Sequence, residues 1–157
     1  KPRGSRQDRR TSFPKPQRER KPEVDPQQLM YAKTHEWVQV ETDPSGTKIA
    51  TVGLSAFAVE ALSDLIHVEL PEVGRNVEAA KPLGEIESVK AVSDVYSPVD
   101  GEIVEVNADL EARLEHLADD PYEGGWFVRI KITDEAGLAN LLDYAAYQKQ
   151  CEEEGEG

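Results

Sequence analysis

The sequence predicts a mostly β protein with short peripheral helices and one terminal helix. From Tyr31 onward, apolar residues recur mainly at every second position, the periodicity of half-buried strands. Proline and glycine fall together between the apolar runs, in Asp43-Pro44-Ser45-Gly46, Pro71-Glu72-Val73-Gly74 and Ser97-Pro98-Val99-Asp100-Gly101. Proline presets one turn dihedral and glycine accepts positive φ, so these segments read as turns. Stretches with helical spacing are short by comparison.

The strands expected are Glu36–Thr42, Thr47–Gly53, Leu65–Leu70, Leu83–Val89, Ala91–Tyr96, Glu102–Asn107 and Trp126–Ile132. Between them, Ser55 can cap a helix running through Leu62, because its hydroxyl can accept an unpaired first-turn N–H. Leu110, Leu114 and Leu117 share a helical face in Asp109–Leu117, and Asp134–Tyr147 reads as a terminal amphipathic helix or helix pair. Trp37 and Trp126 are expected in the core, and His35 as a packing or surface residue. A short echo, Gly84-Glu85-Ile86-Glu87 and Gly101-Glu102-Ile103-Val104, suggests two similar layers with a turn between the copies.

A chain of 157 residues accommodates one compact domain with tails. Residues 1–22 hold nine of the 18 Lys/Arg and two of the 31 Asp/Glu, a local charge of +7; the overall charge of -13 therefore leaves -20 on the remainder. Residues 1–26 are expected to be a disordered basic tail: a solvated segment, a targeting remnant or a weak polyanion-binding arm. Residues 27–150 form the expected domain and 151–157 an acidic tail. An acidic body repels polyphosphate, which argues against nucleic acid as a partner and favours basic ones. No apolar run reaches the length of a membrane span. The single cysteine, Cys151, permits no intrachain disulfide. Asp119-Asp120 lacks further spaced oxygen ligands and reads as a turn, so no metal site is expected.

The turn between the echoed strands contains Lys90, flanked in Ser88-Val89-Lys90-Ala91-Val92 by small or β-branched residues. Such a lysine is mostly protonated at neutral pH and is a poor nucleophile unaided. It is either an ordinary turn lysine or an attachment point acylated by another enzyme. Several separated blocks bear on that choice: Tyr31-Ala-Lys-Thr-His-Glu-Trp-Val38, Ala50-Thr-Val-Gly53, Val68-Glu-Leu-Pro-Glu-Val-Gly74, Glu87-Ser-Val-Lys90, Ser93-Asp-Val-Tyr-Ser-Pro98, Gly101-Glu-Ile-Val-Glu-Val-Asn107, and Asp120-Pro-Tyr122 with Gly125-Trp126. In this order they resemble the glycine-cleavage H-protein family, whose fold is the barrel-sandwich hybrid of lipoyl and biotinyl carriers.

The resemblance implies lipoate amide-linked to Lys90. It implies presentation to the lipoyl-attaching enzyme by Glu87, Gly74 and Gly101, and an arm groove from Thr34, Glu36, Leu54 and Asp94. Taken alone, Glu87 also reads as a solvated strand residue, and Glu36 and Asp94 as surface acids. The implied function is non-enzymatic: the aminomethyl group of glycine passes from a pyridoxal-phosphate glycine decarboxylase (P protein) to a tetrahydrofolate-dependent aminomethyltransferase (T protein). Dihydrolipoamide dehydrogenase (L protein) then reoxidises the carrier. The implied setting is a monomer in the bacterial cytoplasm or, alternatively, the mitochondrial matrix. The chain departs from the family pattern at Arg113-Leu114-Glu115-His116, where a helix could extend through Leu114, and at Tyr122-Glu-Gly-Gly-Trp126. Rival readings are another client of the same fold, such as lipoyl relay, and an unmodified acidic adaptor. Val89-Lys90-Ala91 argues against a biotin carrier.

Overall fold

The structure, a computed structural model, describes residues 25–122 and 124–156. Most of the basic tail lies outside them. Its last two residues instead open a 3-10 turn at Pro26–Gln28, with the Asp25 carboxylate accepting the Gln27 N–H at 3.0 Å. The Tyr31 hydroxyl donates to the Pro26 carbonyl at 2.6 Å.

Among the described residues, period-two patterning forms strands β1 (Met30–Tyr31), β2 (Glu36–Thr42), β3 (Lys48–Leu54), β4 (Leu65–Glu69), β5 (Asn76–Val77), β6 (Pro82–Ser88), β7 (Val92–Tyr96), β8 (Asp100–Val106) and β9 (Val128–Asp134). They make a six-stranded sheet in the order β1-β2-β3-β9-β8-β5 and a three-stranded sheet in the order β4-β6-β7. Val68, Leu83, Ile86 and Val95 of the smaller sheet and Val52, Ile103, Val128 and Ile130 of the larger share one buried cluster. A second cluster, including Tyr31, Trp37, Tyr147 and Cys151, joins β1 and β2 to the terminal helix. Trp37 therefore faces one cluster while its neighbour Val38 faces the other, and this end of the strand is covered on both sides. Trp126, expected in the core, is half-buried, with the Arg129 guanidinium carbon 5.2 Å from its ring centre.

The two Gly-Glu-Ile copies lie in different sheets. Gly84 begins one beside the Glu69 carbonyl, and Gly101 begins the other beside the Lys131 carbonyl, while Ile86 and Ile103 both enter the core. Gly46 and Gly74 take positive φ in their turns, at 89° and 96°. Gly101 corrects the turn expectation: it pairs with Val77 and Ile132 inside β8. A Cβ there would stand 2.3 Å from the Lys131 oxygen and 2.5 Å from Ile130 Cγ2.

Helix α1 (Ala56–Leu62) begins as expected, with Ser55 Oγ accepting the Ala58 N–H at 3.2 Å. The helix expected over Asp109–Leu117 is two, α2 (Asp109–Ala112) and α3 (Glu115–Asp119), broken where Arg113 leaves helical dihedrals. Neither piece has a side-chain cap. Such short helices have little cohesion of their own, so burial of Leu110 and Leu117 dictates the path. Asp134–Tyr147 likewise becomes a 3-10 helix, Glu135–Asn140, followed later by α4 (Tyr144–Glu156). Leu142 between them exchanges backbone hydrogen bonds of 2.7 and 2.8 Å with Tyr31, which requires extended chain. Helix α4 also runs through the segment assigned to the acidic tail, and Cys151 is buried beside Tyr147.

Replacing Gly101 with alanine should destabilise the fold by about 2–3 kcal/mol, because the backbone must shift to admit the methyl group. Urea unfolding checks this; wild-type stability would mean that Gly101 matters only for recognition by a partner.

Candidate functional site

Strands β6 and β7 pair through Ile86 with Ser93 and Glu87 with Val92, leaving Ser88–Ala91 as the connection. The Ser88 N–H donates to the Ala91 carbonyl at 2.8 Å, and Ser88 Oγ accepts the Ala91 N–H at 3.2 Å, so a nearly buried serine pins both ends of the turn. A third anchor comes from outside the hairpin: the Val89 N–H donates to the Asp64 carbonyl at 2.9 Å. Asp64 follows Ser63, the C-cap of α1 at φ 71°. Lys90 is thus exposed at the tip of a hairpin held from three sides, between Val89 and Val92, which are 69% and 59% exposed. Glu87 lies on the same hairpin, paired with His67 of β4. Gly74 and Gly101 are elsewhere: Gly74 turns the chain ahead of β5, its N–H bonded to the Ile103 carbonyl at 2.7 Å, and both serve the six-stranded sheet.

A cleft of about 230 Å³ opens beside the hairpin. Its floor is apolar, with Leu54, Phe57, Leu62 and Ile86, and polar groups at its edge include Thr34, Asp94 and Glu154. Strand register explains the assembly. Glu36 pairs with Leu54 across β2 and β3, and the Ser55 N–H donates to the His35 carbonyl at 2.9 Å, which brings the turn before β2 to the start of α1. Ser93 belongs to the lining and lies three residues from Lys90, roughly 10 Å along an extended chain. No Lys or Arg lines this cleft. A larger one of about 540 Å³ lies across Thr34, but it includes Lys33 and none of the hairpin tip. Acidic edge, apolar floor and proximity to Lys90 single out the smaller cleft for an aliphatic ligand with a cationic end.

Three of the four expected groove residues, Thr34, Leu54 and Asp94, line this cleft together; Glu36 does not. It is fully buried beneath Thr34, whose hydroxyl donates to Glu36 Oε1, while the Tyr96 N–H donates to Oε2 at 3.0 Å. Desolvation raises its pKa to about 7, opposed by the hydrogen bonds from Thr34 and Tyr96. Phe57, Ser93 and Glu154, which are not among the groove residues expected from the sequence, also line it, as does His35, expected only as a packing or surface residue. His35 has φ 84° and lies between Phe57, Tyr147 and Glu154. The Tyr144-Tyr147-Cys151 spacing, continued three residues to Glu154, was the available signal for a helix face reaching this region. Because Glu36 has a raised folded-state pKa, its contribution to stability is complete below the unfolded value of 4.5 and is lost as pH rises through about 7. Denaturant titrations should show wild type losing on the order of 3 kcal/mol across that window relative to Glu36→Gln, at about 1.4 kcal/mol per pKa unit. Parallel pH profiles for the two proteins would contradict this.

The glycine cleavage H-protein family model matches residues 29–154. The glycine cleavage system H protein of Rhodopirellula baltica is 53% identical over 131 residues, covering 83% of this chain and 98% of that protein. Its counterpart from Thermotoga maritima is 48% identical over 124 residues, covering 79% and 96%. The crystal structure of a glycine cleavage system H protein from Mycobacterium marinum aligns with a TM-score of 0.72 and 38% identity, over 80% of this chain and 98% of that one. With a matching segment that spans most of the sequence, and relatives covered almost from end to end, the chain belongs to the glycine cleavage H-protein family.

Proposed function

We propose that Lys90 carries lipoate and that the chain serves glycine cleavage as a non-catalytic carrier of the aminomethyl group. The group passes from the pyridoxal-phosphate decarboxylase to the tetrahydrofolate-dependent aminomethyltransferase, and dihydrolipoamide dehydrogenase restores the carrier. The observation that carries this reading is the acid-edged, apolar-floored cleft built partly from the hairpin that presents Lys90. Family membership supports a carrier component working with the other proteins of the system.

The residues suit such an arm. Exposure of Lys90 at a pinned tip leaves its amine open to an attaching enzyme, and Glu87 on the adjoining rung gives that enzyme a charged mark to read. Lipoate in amide linkage supplies a disulfide that exchanges between oxidised and aminomethyl-bearing forms. Thr34 directs its hydroxyl proton into Glu36, leaving oxygen lone pairs free to accept from an ammonium group in the cleft. Asp94 adds negative charge at the edge, and the apolar floor displaces water from around the stem. The acidic body favours basic docking faces on the partner enzymes. The relatives named above are bacterial, which supports a bacterial cytoplasmic setting. No helix among the described residues is long and apolar enough to cross a membrane. Division into a basic tail and one carrier domain that includes α4, and action as a monomer, belong to the same proposal.

Reconstitution with the decarboxylase, glycine and labelled bicarbonate tests the reading. Wild type should show the mass increment of one lipoyl amide and support label exchange, while Lys90→Arg should do neither. Equal exchange by both proteins would overturn the assignment.

A further inference from the structure

Beside the cleft, four side chains from three parts of the chain form a continuous hydrogen-bond series. Ser55 Oγ lies 2.5 Å from Tyr147 Oη; Tyr147 Oη lies 2.7 Å from His35 Nδ1; and His35 Nε2 lies 3.0 Å from Glu154 Oε1. The series extends at its far end. Gln150 Nε2 donates to Glu154 Oε2 at 2.7 Å and to the Lys33 carbonyl at 2.9 Å, using both amide hydrogens. Helix α4 is thereby fastened to the turn that carries Thr34.

Counting donors gives the series a direction. Ser55 is fully buried, and its oxygen already accepts from the Ala58 N–H, so its own proton goes to Tyr147. The Glu154 carboxylate can only accept, so the neutral His35 ring must donate from Nε2 and accept the Tyr147 proton at Nδ1. Reversing the order would leave the buried Ser55 proton without an acceptor, an arrangement that costs more than the hydrogen bond itself returns. The imidazole is also confined by its stack on Phe57, with ring centres 5.1 Å apart, and His35, Phe57 and Glu154 all line the cleft.

We propose that this directional chain holds α4 against the cleft as a removable wall, with Ser55, Tyr147 and His35 as positioning residues that set how long a cationic cargo stays shielded from water. The cargo half of the statement rests on the carrier reading above; the positioning half does not. Hydrolysis of a shielded aminomethyl group would consume one water and yield the thiol, formaldehyde and ammonium, so exclusion of water bears directly on its lifetime. Tyr147→Phe removes one hydroxyl while keeping the ring that stacks on Tyr31 at 4.3 Å.

Two measurements decide the matter. In the unmodified full chain, nitrogen-15 spectra should report His35 as the Nε2–H tautomer, and Tyr147→Phe should raise amide exchange along α4 by about tenfold, the worth of one ordinary hydrogen bond. An Nδ1–H tautomer, or α4 amides exchanging at wild-type rates in the variant, overturns the proposal. In the lipoylated, aminomethyl-loaded chain, Tyr147→Phe should release formaldehyde about tenfold faster, as loss of a single hydrogen bond implies. Ala145→Gly weakens α4 at an exposed position without touching the series, and should release formaldehyde at close to the wild-type rate. Equal release by wild type and Tyr147→Phe, or equally fast release by Ala145→Gly, overturns the positioning role. Failure of the wild type to load at all counts against the carrier reading, and the tautomer and exchange results still judge the hydrogen-bond chain.

Discussion

A carboxylate with no access to solvent must find its hydrogen bonds within the fold, and Glu36 finds them in two places. Thr34 donates to one oxygen from the turn before β2, and the Tyr96 N–H donates to the other from the end of β7. The first belongs to the six-stranded sheet and the second to the three-stranded one, so one acid ties the two layers together. An unpaired charge in this position would cost several kcal/mol. The orientation of Thr34, and with it the polar corner of the cleft, follows from that requirement.

The neighbouring turn is held under strain. His35 adopts a left-handed conformation that side chains with a Cβ rarely take, at a cost of roughly 1–3 kcal/mol. Contacts from Phe57 on α1 and from Tyr147 and Glu154 on α4 offset it. Ser55 participates twice, capping α1 and meeting Tyr147. The cleft is therefore a junction among the turn before β2, the end of β3, the hairpin, α1 and α4, and its shape depends on their registration.

Much of this was legible in the sequence. The strand expected at Glu36–Thr42 forms over those residues, and Ser55 caps the helix assigned to it, because period-two burial and hydroxyl capping are local rules. Two-residue strands β1 and β5 carry no periodicity to detect. The terminal helix starts and ends later than its spacing predicts because Leu142 is held by Tyr31, more than a hundred positions earlier, and because the Tyr144-Tyr147-Cys151 face is interrupted by charged and amide residues. Thr34, Leu54 and Asp94 were grouped through family resemblance and converge on one cleft. The burial of Glu36 beneath Thr34 and the arrival of Glu154 from α4 depend on tertiary packing, which spacing alone does not encode.

The cleft is lined in part by the hairpin that presents Lys90, so a group carried on Lys90 would be a tethered ligand for its own protein. Its encounter with the cleft is unimolecular, governed by the effective concentration of a short flexible link, typically in the millimolar range. Weak intrinsic affinity is then enough for high occupancy, and occupancy does not fall as the protein is diluted. The same arithmetic limits how tightly the cleft should bind: a partner must win the group from a competitor that is always present, so every increment of retention slows hand-over by the same factor.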